Sequence, residues 1–241
     1  ASCILAKSAL IAGVHRSDIL FSLLHDKVDR DVVEANPRLR MIASMSITPD
    51  NTDVAAATAR KIPVTVVPAL AVESTADTAF ALLLAVARRV VEGDRLVRRG
   101  IFPGSQSCEL LGAGVWGKVL GLVGGKGRIG QAVARRAHGF GMRVLYWGPR
   151  RMPEEEERRL GMAYQPLHHL LAQADFVSVH SPLRTETVHQ IGARELSLMK
   201  PTAFLINTAR GPVVDEGALA CALVERKIAG AALDVFEREP E

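Results

Sequence analysis

A chain of 241 residues, 48% hydrophobic and 23% charged, is long enough for one large domain or two modest ones and too apolar to be disordered. Its three cysteines, Cys3, Cys108 and Cys221, lie too far apart for a disulfide framework or a thiolate metal site and fit a reducing, cytoplasmic setting. The net charge of +4 draws on basic pairs such as Arg88-Arg89 and Arg135-Arg136, which read as solvated helix faces; with no interleaved aromatics no nucleic acid is expected, and the cysteine spacing gives no reason to expect a metal.

In chain order, the first apolar stretch is interrupted by Lys7, so no signal peptide is read there. The runs 18–24, 39–44 and 62–67 read as buried parallel strands, with helical patterns over 29–36 and 52–61 between them. This is a small α/β layer. One long helix is then predicted over 73–100, with Glu73 and Asp77 near its start, Arg98-Arg99 at its end and Gly100 as its stop. Its uncharged stretch, Ala79 to Ala87, is half a membrane span at most, so no membrane partner is expected. Residues 102–114 read as loop. Beyond it, strands are predicted at 119–124, 143–147, 175–180, 202–207 and 230–234, and helices at 128–140, 153–160, 166–173, 193–199 and 215–226. Such alternation predicts an α/β fold, a Rossmann doubly wound parallel sheet. The boundary falls near residue 70, giving domains 1–70 and 71–241. The chain opens at Ala1 and stops at Glu241 after a strand-like segment, so both ends read as cut.

Gly125-Lys126-Gly127-Arg128-Ile129-Gly130 fits GxGxxG between an apolar strand and an amphipathic helix, the context in which glycines bring backbone against a pyrophosphate. A Gly-rich turn without a ligand is the plainer alternative. Where a carboxylate usually grips the ribose 2′-hydroxyl, the chain has Gly148, followed by Arg150 and Arg151. Guanidinium groups suit phosphate oxygens, so NADP(H) is preferred, with NAD(H) possible. Two solvent-exposed arginines are the alternative. Arg210 follows the strand "FLIN" just beyond its carboxyl end, where open α/β sheets bind ligands. It is a candidate site residue or an ordinary loop arginine. Asp234, Glu237 and Glu239 occupy the same edge or are simply hydrated tail acids, and His180 on that edge is a candidate for acid–base work or simply a histidine lining a cleft.

The segments "ESTADTAFALLLAVARR", "GRIGQAVARRAHGFGMRVLY", "LMKPTAFLINTARGPVVDEGAL" and "IAGAALDVFEREP" resemble the D-isomer-specific 2-hydroxyacid dehydrogenases, above all the glyoxylate/hydroxypyruvate reductase branch. The resemblance implies a flavodoxin-like substrate domain, here incomplete, beside the Rossmann domain, with the substrate between them. It implies a homodimer built around helix 73–99. It makes Arg210 the catalytic arginine that holds the substrate carboxylate and polarises the keto oxygen, and Glu239 the acid that orients a catalytic histidine. It places Arg128 and Ile129 at the pyrophosphate, Ser181, Pro182, Thr208 and Ala209 along the cofactor, and Asp234 at the nicotinamide carboxamide. The loop 44–51, with Ser46, Ile47 and Thr48, matches the loop that cradles the substrate carboxylate.

Three departures stand out. Ile47-Thr48 replaces the usual Val-Gly type of pair, the glycine turn carries one extra residue, and the family histidine would fall beyond Glu241. The reading is an NADPH-dependent reductase of glyoxylate or hydroxypyruvate whose chain alone, lacking that histidine, would be nearly inactive. Its alternatives are a nucleotide-binding corepressor of the same superfamily, an inactive fragment that still binds dinucleotide and, less favoured, a phosphite dehydrogenase.

Overall fold

The structure is a computed structural model and describes residues 5–23, 26–46, 48–49, 51–67, 70–102, 104 and 108–239. The chain divides into two compact units, Ala1–Ala71 and Val72–Glu241.

The first unit contains α1 (Lys7–Val14), β1 (Ile19–Ser22), α2 (Arg30–Glu34), β2 (Met41–Ser44), α3 (Val54–Ala59) and β3 (Val64–Thr65). Its three strands are parallel in the order β1-β2-β3, with Ile19 opposite Met41 and Ile42 opposite Val64. The Asp29 and Asp53 carboxylates accept the backbone N–H of Val32 and Ala56 and so start α2 and α3. Helix α1 was not expected from the sequence. It exists because Leu10 and Val14 bury against Val32, Val33 and Ile42, a tertiary gain that an eight-residue apolar stretch does not announce.

Next along the chain the predicted single helix is two helices, α4 (Leu70–Ala87) and α5 (Val90–Arg98). The break sits at Arg89, whose φ of 55° is left-handed. Its cause is distant in sequence. The Ala87 carbonyl accepts the N–H of Ala113 at 2.8 Å, and Gly112 lies so close that a Cβ there would stand 2.5 Å from that carbonyl. The Arg89 guanidinium ties the same loop through the Glu109 carbonyl at 2.7 Å. α5 ends before Gly100, whose φ is +74°.

The second unit continues through β4 (Val119–Val123), α6 (Arg128–Gly139), β5 (Arg143–Trp147), α7 (Glu154–Leu160), β6 (Met162–Tyr164), α8 (Leu167–Gln173), β7 (Phe176–Val179), α9 (Ala193–Leu198), β8 (Phe204–Asn207), α10 (Glu216–Val224) and β9 (Gly230–Leu233). All neighbouring strands pair in parallel, in the order β6-β5-β4-β7-β8-β9, the doubly wound Rossmann arrangement. The short β6 was not expected; pairing of Met162 with Val144 holds it. Alternate residues feed two cores. Leu120, Leu122, Phe176 and Ile206 pack with α4 and α6 on one face, and Val123, Val177, Val179 and Leu205 pack with α8, α9 and α10 on the other.

At the amino edge of this sheet Asp175 joins three strands. Its N–H donates to the Val119 carbonyl, its carbonyl accepts the Phe204 N–H, and its carboxylate accepts from Val119 N–H at 2.9 Å and Lys200 Nζ at 2.8 Å. Burial opposes ionisation, but the Lys200 ammonium and the Val119 N–H outweigh it and hold the carboxyl below its usual range. A carboxyl depressed in the folded state adds stability above its unfolded pKa, and that stability is lost as pH falls through the folded value. Asp175→Asn should therefore cost about 1–2 kcal/mol at pH 7, with the gap to the parent closing in acid. Urea melts across a pH series check this; a gap that does not change with pH would show that the carboxylate charge is irrelevant.

Candidate active site

β4 ends in a turn that no side chain could share. Gly124 has φ +85°, and a Cβ on it would meet the His180 carbonyl carbon at 2.7 Å and the Ser181 nitrogen at 2.8 Å. The loops after β4 and β7 therefore touch at the switch point, where the chain turns from one half of the sheet to the other. A Cβ on Gly125 would stand 2.6 Å from the Tyr146 Cβ, and one on Gly130 would stand 2.6 Å from the Gly125 Cα. The Trp147 carbonyl accepts both Gly124 N–H (2.9 Å) and Gly125 N–H (3.2 Å), and Gly127 N–H returns to the Gly124 carbonyl at 3.0 Å. The extra residue is thus absorbed as a tight turn ahead of α6. Gly127 opens α6 without a side-chain cap, so the first-turn N–H groups of Arg128, Ile129 and Gly130 have no helical acceptor. A run of free N–H groups beside close-packed glycines is the shape a pyrophosphate fills.

The loop after β5 carries Gly148, Arg150 and Arg151. A Cβ on Gly148 would meet only the Arg150 carbonyl oxygen, at 4.0 Å, so the position is open for lack of a side chain and not for lack of space. Arg150 is exposed. Arg151 is not offered in the same way. Its Nε and Nη2 donate to the two oxygens of Glu157 at 2.9 and 2.8 Å. Glu157, on α7, is 8% exposed and also accepts from the Tyr146 hydroxyl at 2.7 Å. That hydroxyl in turn accepts the Met152 N–H at 2.7 Å. Burial, with the Glu157 carboxylate beside it, pushes Tyr146 up to about 12, while Arg151 holds the Glu157 carboxyl low.

Beyond β8, Asn207 is buried and braces the turn that follows. Its amide oxygen accepts the Ala209 N–H and its amide nitrogen donates to the Arg210 carbonyl, both at 3.0 Å. The Arg210 Nη1 donates to the Ala209 carbonyl at 2.7 Å. A Cβ on Gly211 would overlap the Phe236 carbonyl, so the segment after β9 passes directly over this turn. Asp234 extends the ladder by donating its N–H to the Asn207 carbonyl at 3.0 Å, and the exposed Glu239 carboxylate accepts the Phe236 N–H at 2.5 Å. Ser181 is buried and Pro182 exposed. Two buried polar atoms on this edge, His180 Nδ1 and Thr208 Oγ1, have no hydrogen-bond partner. A buried polar atom left unpaired costs free energy, and a polar ligand in the crevice would satisfy both. The site fits a dinucleotide on these grounds: a glycine cradle, free helix N–H groups and two orphaned polar atoms.

In the first unit, Ser46 is buried, with its hydroxyl 2.6 Å from the Ser44 hydroxyl and donating to the Thr48 carbonyl at 2.6 Å. Ile47 lies outside the described residues, as does Pro240. Among the described residues no group of His, Cys, Asp or Glu is arranged to hold a metal, and no helix is long and apolar enough to cross a membrane.

The D-isomer specific 2-hydroxyacid dehydrogenase NAD-binding domain pattern matches residues 80–241. A glyoxylate reductase of Korarchaeum cryptofilum is 53% identical over 236 residues, covering 98% of this chain and 70% of that relative. A solved glyoxylate reductase from Paecilomyes thermophila superposes with a TM-score of 0.87 at 33% identity, over 99% of this chain and 74% of that one. The TT0316 protein of Thermus thermophilus gives 0.89 at 42% identity, over 100% and 75% of the two chains. The chain belongs to the D-isomer specific 2-hydroxyacid dehydrogenase family. Its Rossmann unit is accordingly the NAD-binding domain of a nicotinamide-dependent oxidoreductase.

Two supports of this candidate site escaped the sequence reading. Asn207 read only as the last residue of a strand, and Glu157 as one acid in the charged run "EEEERR". His180, singled out from the sequence, is half-buried, and its Nε2 lies 2.9 Å from the Ser178 hydroxyl. Desolvation pushes its pKa from 6.5 down to about 4. The ring therefore stays neutral at pH 7. Because the unfolded chain takes up this proton first, the histidine removes stability as pH drops from 6.5 toward 4. A histidine-selective NMR titration should show the His180 ring unmoved from pH 8 to about 5; a midpoint near the ordinary value would contradict the burial argument.

Proposed function

We propose that this protein reduces a 2-keto acid, glyoxylate or hydroxypyruvate, to the 2-hydroxy acid with NADPH. The observation that carries the reading is Arg210, set beyond the carboxyl end of β8 on a turn braced by Asn207 and beside the orphaned Thr208 hydroxyl. The names of the glyoxylate reductase relatives support the substrate class. Gly125, Gly127, Arg128, Ile129 and Gly130 would hold the pyrophosphate. Ser181, Pro182, Thr208, Ala209 and Asp234 would line the rest of the dinucleotide, which when bound supplies the hydride. Arg210 would pair its guanidinium fork with the substrate carboxylate and draw charge onto the keto oxygen. Ser46, Ile47 and Thr48 keep the carboxylate-cradling role that the resemblance implies. Glu239 keeps the role of orienting an acid–base histidine.

The cofactor preference rests on Gly148 and Arg150. With no carboxylate at Gly148 nothing repels a 2′-phosphate, and Arg150 is exposed in the same loop. One charge-assisted contact is worth about 1.5–3 kcal/mol, or roughly 10- to 100-fold in affinity. NADPH should bind tighter than NADH by about that factor, with the difference shrinking at high salt. Gly148→Asp, whose Cβ would meet only the Arg150 carbonyl oxygen at 4.0 Å, should reverse the order. Nicotinamide fluorescence titrations read both, and equal affinities in the parent would defeat the NADPH assignment. In a chain that continues past Glu241 through the family's histidine segment, Arg210→Lys keeps the charge but not the fork; keto-acid turnover should collapse while cofactor affinity holds. Near-normal turnover would remove Arg210 from the mechanism.

A homodimer through the α4–α5 region belongs to the same reading. Val90, Val91 and Val97 on α5, and Ile101 and Phe102 after it, are exposed apolar side chains that a second copy would cover. Val97→Asp should leave a monomer in sedimentation runs where the parent is dimeric; a monomeric parent would end the proposal.

A further inference from the structure

The loop after β5 holds two arginines, and the structure treats them differently. Both are exposed, but Arg150 makes no hydrogen bond or ion pair with a described residue, whereas Arg151 donates its Nε and Nη2 to the two carboxylate oxygens of Glu157. We propose that Glu157 sets the cofactor discrimination of this enzyme by holding Arg151 in a bidentate ion pair, so that Arg150 alone is offered to a 2′-phosphate. The proposal rests on the NADPH reading only in locating the ribose at this loop.

Three observations carry it. Glu157 is 8% exposed, and its carboxylate oxygens meet both the Arg151 fork and the Tyr146 hydroxyl, so it is a fixed partner rather than a swinging surface acid. The planar fork of Arg151 matches that carboxylate in the two-point geometry it would otherwise present to a phosphate. Tyr146 also accepts the Met152 N–H, so the backbone just past Arg151 is pinned to the same network. An acid is therefore present near the end of β5 after all. It arrives from α7, and it acts on the cofactor through an arginine instead of through the ribose hydroxyl. Glu157 is a positioning residue in this scheme.

The test compares NADPH and NADH dissociation constants, by nicotinamide fluorescence, for the parent and for Glu157→Gln, Arg151→Ala, Arg150→Ala and the Glu157→Gln/Arg151→Ala pair. Glutamine keeps the shape and an acceptor for Tyr146 but releases the arginine. NADPH should then bind about tenfold tighter, the equivalent of one added charged contact reduced by solvent, and NADH should not change. Arg151→Ala alone should leave NADPH affinity where it was, Arg150→Ala should weaken it, and the double variant should return to the parent value. An unchanged or weaker NADPH affinity in a Glu157→Gln protein with an intact thermal transition overturns the proposal. So does an Arg151→Ala loss equal to that of Arg150→Ala, a measurement that stands even if Glu157→Gln fails to fold. The NADPH assignment fails separately: a parent that binds both cofactors equally would defeat it, while Glu157→Gln would still have to create a preference for this inference to survive.

Discussion

The site depends on one steric constraint. At Gly125 and Gly130 the backbone of the turn and the backbone of α6 pass at a distance that leaves no room for a Cβ, and Gly125 also lies on Tyr146. This brings the start of α6 over the carboxyl ends of β4 and β5. Its first-turn N–H groups carry no side-chain cap. The Trp147 carbonyl fixes the turn by taking two glycine N–H groups at once, so the end of β5 sets the seat that β4 and α6 form. Gly124 makes the turn possible by adopting a left-handed conformation that other residues reach only with strain.

The two edges of the Rossmann sheet are built for different ends. At the amino edge, Asp175 satisfies Val119, Phe204 and Lys200 together. At the carboxyl edge the pairing is incomplete: His180 Nδ1 and Thr208 Oγ1 are buried without partners, while Asn207 spends its side chain shaping the turn before Arg210. Unsatisfied polar groups cost stability, a cost that a polar ligand at this edge would relieve. Gly211 lets the segment after β9 cross that turn, which brings Asp234 and the chain toward Glu239 onto the same edge.

After β5, charge is distributed by a network rather than by a single residue. The Tyr146–Glu157–Arg151 chain ties the floor of the glycine turn to the loop after β5. In a partly buried setting such a network is stiff, since each member holds the next in one geometry. That explains how two adjacent arginines of similar sequence context differ in what they offer a ligand.

Much of this protein was legible before any coordinates. The strands from β4 to β9, other than the three-residue β6, and the helices between them follow from apolar runs and helical periods, because a parallel sheet covered on both faces demands that pattern. The glycine turn, the missing acid at Gly148 and the placement of Arg210 follow from spacing along one continuous segment. The tertiary structure alone decided what depends on partners far away in the chain. Periodicity carried the helix through Arg88-Arg89, yet Ala113 claims the Ala87 carbonyl and stops it there. Adjacency made Arg150 and Arg151 equivalent, yet Glu157, from the next helix, pairs with one of them and not the other. Asn207 read as the end of a strand and proved to be the brace of the arginine turn. The physical reason is the same in each case. Local sequence dictates backbone period and steric allowance, whereas the choice of hydrogen-bond partner for a given carbonyl, guanidinium or amide is made by whatever the completed fold brings within about 3 Å of it.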